Sequence, residues 1–140
     1  MRKTIDNPDG VPKPPLGRYS HVARLEFGGG VLLLLSGQVA VDDDLKVVAP
    51  GDMRAQSERI FEIIGTILKA HGATFADVVN IRTYLTDISK LGEYAEVRAK
   101  YLPTDKPPTS TTVEVSRLFA PEAVIEIEVM AVLPGSSAGA

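Results

Sequence analysis

Apolar and polar positions alternate from His21 to Phe27, setting Val22 and Arg24 on one side and Ala23, Leu25 and Phe27 on the other. That period of two predicts a β-strand. Gly28-Gly29-Gly30 interrupts it, and Val31–Ser36 follows as a run without a polar residue before Ser36, suited to a strand covered on both faces. The glycines therefore join the two strands of a hairpin. Gly37-Gln38 leads to a short third strand at Val39–Val41, and Asp42-Asp43-Asp44 marks a solvated turn.

The period changes beyond Asp52, a suitable N-cap. Ile60, Ile63, Ile64, Ile67 and Leu68 follow the spacing of one buried helix face, predicting a helix to about Ala70 that Gly72 ends. Thr74-Phe75-Ala76-Asp77 then leads into Val78–Leu85, a strand rich in β-branched residues, closed by Thr86-Asp87. A second helix is expected from Ile88 to Leu102, stopped by Pro103, with Leu91, Tyr94, Val97 and Tyr101 on its buried side. Beyond Pro107-Pro108, Thr109–Val115 reads as a Thr/Val-rich strand. Ala123–Leu133 alternates as the last one, with Glu126 and Glu128 on the side opposite Ile125 and Ile127.

The order β-β-β-α-β-α-β-β implies an α+β fold, a mixed β-sheet with two helices packed on one face. Pro8, Gly10, Pro12, Pro14, Pro15 and Gly17 make residues 1–17 an extended Pro/Gly-rich N-terminal arm. Residues 18–134 form a single domain and 135–140 a flexible tail. Two helices leave the other sheet face bare. Because Val31–Leu35 is apolar throughout, that face is expected to bury itself against another subunit.

The 140 residues suit one domain able to fold without a disulfide or metal staple. There is no cysteine, which excludes thiol nucleophiles and thiolate metal sites and agrees with a cytoplasmic setting. Fifteen basic residues face 18 acidic ones with no basic block, which argues against nucleic-acid binding. No apolar run, Val31 to Leu35 included, exceeds five residues, whereas a membrane helix needs about 20. Met1-Arg2-Lys3 is followed by polar, proline-rich sequence and not by a signal peptide's apolar core. A small molecule is the expected partner.

Phosphate-cradling and dinucleotide fingerprints are absent. His21 and His71 share no ligand spacing; His71 beside Gly72 reads as structural, and His21, next to Tyr19 and Ser20, as a structural residue or part of a polar site. Glu126 and Glu128 point to one face of their strand. Two carboxylates there are functional if the face is buried, or else solvated or paired with Arg82 or Arg117.

Arg18-Tyr19-Ser20-His21-Val22, Ser36-Gly37-Gln38-Val39, Gln56, Val78-Val79-Asn80, Tyr84-Leu85-Thr86-Asp87, Pro107-Pro108, Val113-Glu114-Val115 and Ile125-Glu126-Ile127-Glu128 fall in one order. Their order and spacing over residues 17–133 resemble the RidA/YjgF family of enamine/imine deaminases. The resemblance implies a chorismate-mutase-like homotrimer whose sheets close a barrel, with clefts between subunits and no metal or organic cofactor. It implies catalytic roles for Tyr19, Ser36 and Glu126, the last positioning water. It also implies that an arginine holding the substrate carboxylate is replaced here by Ser110, flanked by Thr109 and Thr111. The asparagine of the second helix becomes Ala95 and a nearby tyrosine Arg98. Arg98 and Arg82 are the candidates to restore the missing charge.

Two readings follow. One is a hydrolase of a small imine, enamine or related C–N compound, with a substrate suited to Ser110. The other is a trimer that binds a metabolite or partner without turnover. Ribonuclease activity, attached to relatives of this family, gains little from an acidic chain with no histidine pair.

Overall fold

The computed structural model describes residues 1–135; beyond Gly135, the expected tail lies outside the described residues. The elements are β1 (Arg2–Asp6), β2 (Val22–Phe27), β3 (Gly30–Leu35), β4 (Gln38–Val39), α1 (Met53–Ala70), β5 (Val78–Leu85), α2 (Leu91–Tyr101), β6 (Thr109–Glu114) and β7 (Ile125–Pro134). They form a mixed sheet in the order β1-β2-β3-β7-β5-β6, with β4 also on β7; among the described residues only β5 and β6 run parallel. The expected α+β architecture is present. One strand was not foreseen: Arg2–Asp6 pairs with β2. Further along the same segment Val11 enters the hydrophobic core, so the extended N-terminal residues pack onto the domain.

The sheet has two unlike faces. Val31, Leu33 and Leu35 of β3, Ile81 and Leu85 of β5, and Ile125, Ile127 and Val129 of β7 are buried beneath the helices. The alternate residues Leu32, Leu34, Glu126, Glu128 and Met130 are only half-buried, and Val132 is exposed. In a single chain β3 is therefore covered on one face, and the expectation of cover on both is not met within the protomer.

α1 begins as expected, with the Asp52 carboxylate accepting from Ala55 N at 2.9 Å. It ends at Gly72, whose φ of 78° suits a residue without a Cβ. The second helix differs from expectation. Ile88–Lys90 is a 3-10 turn capped by Asp87, and α2 proper starts at Leu91. The tighter turn rotates Leu91 outward, leaving it 40% exposed, while Tyr94 and Val97 are buried. Phe61 of α1 stacks on Tyr101 and Tyr94 of α2 at 5.0 and 6.3 Å between centroids. Tyr101 donates to Glu58 at 2.6 Å. Burial, reinforced by that bond, pushes its phenol up to about 12.

Gln56 is fully buried on α1 and ties the helix to two loops. Its Nε2 donates to the carbonyls of Ala49 and Glu122 at 3.1 and 2.8 Å, and its Oε1 accepts from Val124 N at 3.0 Å. Leucine there would orphan three backbone groups. Gln56→Leu is expected to cost about 2–4 kcal/mol, seen as a lowered urea midpoint with unchanged slope.

Candidate active site

Where β3 gives way to β4, Ser36-Gly37 lets both strands pair with β7, β3 at residues 130–134 and β4 at 126–127. This break sets Ser36 and Gly37 against Glu126. The Glu126 carboxylate lies directly over Gly37, where a Cβ would overlap it. Ser36 Oγ donates to Ser20 O at 2.5 Å, and its N donates to His21 O at 2.8 Å. With its proton committed, the Ser36 hydroxyl keeps lone pairs for an incoming N–H.

His21 holds this corner together. Gln38 Nε2 donates both to Ser36 O and to His21 Nδ1, at 3.1 Å each. Nδ1 is therefore the acceptor, and Nε2–H donates to Pro12 O at 2.6 Å. Both ring nitrogens are occupied, which supports the structural reading. His71 Nε2 is likewise within 2.9 Å of Asp6 Oδ2.

Tyr19, Ser36, Gly37 and Glu126 form the polar end of a cleft of about 380 Å³. Pro15, Val39, Val41, Leu45 and Phe119 form its other walls. Burial in the first place, and Glu128 in the second, raise the Glu126 carboxyl above its ordinary 4.5. The Tyr19 phenol is raised too, by burial and then by Glu126, so it is a neutral donor at physiological pH. Glu128 differs: Tyr84 donates to its Oε1 at 2.6 Å. No such bond to the Glu126 side chain occurs among the described residues, which leaves it able to hold a water.

The remaining expected site residues gather elsewhere. Ser110 is the register partner of Ile81 and shares its helix-facing side. There it accepts from Arg98 Nη1 at 2.9 Å. The same Nη1 reaches Tyr94 OH at 3.4 Å, and Tyr94 OH is bonded to Thr83 Oγ1 at 2.7 Å. Arg98 is thus steadied by neutral hydroxyls, with no carboxylate within 4.0 Å among the described residues. Thr111 partners Arg82, and Arg82 partners Glu128, on the uncovered face. Thr109 bonds Val79 O and Asn80. β5 separates β6 from β7, so a single chain does not join Arg98 to Glu126.

Pro15, Leu45 and Phe119 were not foreseen as site residues. Leu45 carries the one sequence-level hint, an apolar residue ending an acidic turn. Its φ is 62°, a left-handed conformation costing a residue with a Cβ about 1–2 kcal/mol.

A mixed sheet with two helices on one face and a carboxylate cleft beside the other defines a chorismate-mutase-like chain of the Rid type. The chain belongs to the YjgF/RidA/RutC family: the family model described as Endoribonuclease L-PSP matches residues 11–133. It is 33% identical over 131 residues to a RutC family protein of Pyrococcus abyssi, spanning 94% of this chain and 98% of that one. It is 32% identical over 127 residues to the 3-aminoacrylate deaminase RutC of Acinetobacter baylyi, spanning 91% and 95%. The crystal structure of RidA from an Antarctic Psychrobacter superposes with a TM-score of 0.76 at 30% identity, covering 93% of this chain and 98% of that one. No helix among the described residues is long and apolar enough to cross a membrane.

Proposed function

We propose that the protein hydrolyses the C–N bond of a small imine or enamine in clefts between the copies of a homotrimer. The observation that carries this reading is a half-buried Glu126 carboxylate, without a hydrogen-bond partner among the described residues, facing Tyr19 and Ser36 in one cleft. The deaminase named among its relatives supports it.

Water held by Glu126 attacks the imine carbon. Its oxygen becomes the carbonyl oxygen, its two protons leave with the nitrogen as ammonia, and nothing is oxidised or reduced. An enamine first takes a proton on carbon and gives one up from nitrogen to reach the same imine. Tyr19 donates to the substrate and Ser36 accepts from its N–H. His21 is not free for RNA cleavage, since both its ring nitrogens bond protein groups.

Arg98 supplies the cation for a substrate carboxylate, steadied by Ser110 and flanked by the Thr109 and Thr111 edge of β6. Arg82 is less suited because it stands opposite Glu128. As Arg98 and Glu126 do not meet within one chain, the complete cleft takes Glu126 from one copy and Arg98 from the next. The uncovered apolar positions Leu32, Leu34, Met130 and Val132 give those copies a surface to share.

The reading is tested by ammonia release from 2-iminopropanoate and 2-aminoacrylate generated in situ. Acceleration well above the enzyme-free rate supports it. A rate equal to buffer, with saturable binding of 2-oxo acids, would instead favour the non-catalytic metabolite-binding trimer. Gly37→Ala is expected to lower hydrolysis about 10–100-fold, because the added methyl displaces the Glu126 carboxylate. The fold should tolerate it, since the displaced group is the end of a flexible side chain.

A further inference from the structure

We propose that the cleft selects substrates whose side chain is a bulky hydrocarbon, branched aliphatic or aromatic, seated between Leu45 and Phe119. This rests on the hydrolytic reading above and deepens it by naming the substrate class. Three observations carry it.

Leu45 is the first. Asp42 N donates to Lys46 O, Leu45 N donates to Asp42 O, and the Asp42 carboxylate takes both Asp44 N and Lys46 N. Together with the Val41–Val47 bridge these bonds close a tight hairpin whose fourth residue is left-handed. Glycine or asparagine is the ordinary occupant of such a position. Leucine is strained there and lies outside the main hydrophobic core. Its side chain lines the cleft instead.

Phe119 is the second. It stands on the coil between β6 and β7, 61% exposed and outside the core, and it lines the same cleft. A large aromatic ring left this open has little role in folding the protomer.

The third is the distribution of polar groups. Side-chain hydroxyl and carboxyl groups enter the cleft from Tyr19, Ser36 and Glu126, while Pro15, Val39, Val41, Leu45 and Phe119 offer hydrocarbon. Among this chain's described residues, a substrate with its C=N at Glu126 and a polar side chain would find no side-chain partner at the Leu45–Phe119 end. A hydrocarbon side chain would exchange water for carbon contacts. The volume of about 380 Å³ lies within the range of small-molecule sites.

The test compares 2-imino acids made in situ from leucine, phenylalanine and alanine. The leucine- and phenylalanine-derived imines are expected to show kcat/KM at least about tenfold above the alanine-derived one. Leu45→Gly relieves the left-handed strain, so it should fold at least as stably, and it should bring that ratio toward unity. Phe119→Ser should do the same without changing the mass of the assembly. A preference for the alanine-derived imine would overturn the proposal, as would a ratio untouched in both variants. Dissociation of Phe119→Ser would also overturn it, by making Phe119 a contact between copies. Calorimetry with the product acids separates this inference from the reading beneath it. If no imine is hydrolysed, but 4-methyl-2-oxopentanoate binds at least about tenfold tighter than pyruvate, the side-chain site stands and hydrolysis falls. Equal binding of the two acids would sink the side-chain site whatever the rates.

Discussion

Glu126→Gln is expected to lower imine hydrolysis by at least about a hundredfold while making the fold more stable at neutral pH. Both effects have one cause. Burial first, and Glu128 second, hold the carboxyl above its ordinary 4.5. Below that value the group is protonated whether the chain is folded or not, and it costs nothing. As pH rises through 4.5 and then through the higher folded value, the unfolded chain ionises first and the folded state loses stability relative to it. Glutamine carries no such charge. Its advantage is complete above the folded value and disappears below the ordinary one. Catalysis runs the other way, because orienting water requires the carboxylate, so the rate falls as pH drops through the folded value. Thermal unfolding at pH 4 and pH 7.5, beside ammonia release, checks both signs. A variant keeping its rate would remove Glu126 from the reaction. Loss of rate and stability together would point to a structural role.

Arg98→Met is expected to raise KM by tens to thousands of fold with kcat little changed. A charged contact to a substrate carboxylate in a partly buried site is worth about 2–5 kcal/mol on truncation. The carboxylate is bound alike in ground and transition states, so the loss appears in KM. Ser110→Ala removes only a neutral hydroxyl at 2.9 Å, worth about 1 kcal/mol or several-fold. Adding Ser110→Arg to Arg98→Met returns a guanidinium to the same edge and should recover much of the affinity. Equal KM values for the parent and Arg98→Met would locate the carboxylate elsewhere.

Strands and helices were legible wherever burial imposed a period. Ile60–Leu68 and Ile125–Ala131 each bury one face, and their spacing shows it, whereas Val31–Leu35 was legible only as an apolar run and its half-covered state was not. Arg2–Asp6 was missed because it is an edge strand with little buried side chain, and pairing to β2 needs only backbone groups. Leu91 was misplaced because a 3-10 turn and an α-helix share apolar spacing over a few residues but differ in rotation.

Tyr19, Ser36 and Glu126 were singled out through their motifs, and the structure places them around one cleft. Ser110 was singled out as well, but its direction was not foreseen. Its register with Ile81 turns it toward α2, which lets Arg98 reach it. Leu45 and Phe119 were not foreseen as walls because one enters the cleft through a left-handed turn and the other through coil, and neither leaves a periodic trace.

Subunit complementation tests the shared cleft most directly. Glu126→Gln and Arg98→Met chains, each nearly inactive at low substrate, are unfolded together and reassembled in equal amounts. If each cleft takes Glu126 from one copy and Arg98 from the next, about a quarter of the clefts in random trimers carry both residues intact. Ammonia release should then recover to about a quarter of the unsubstituted rate. Recovery no greater than the average of the two variants alone would contradict a cleft shared between copies.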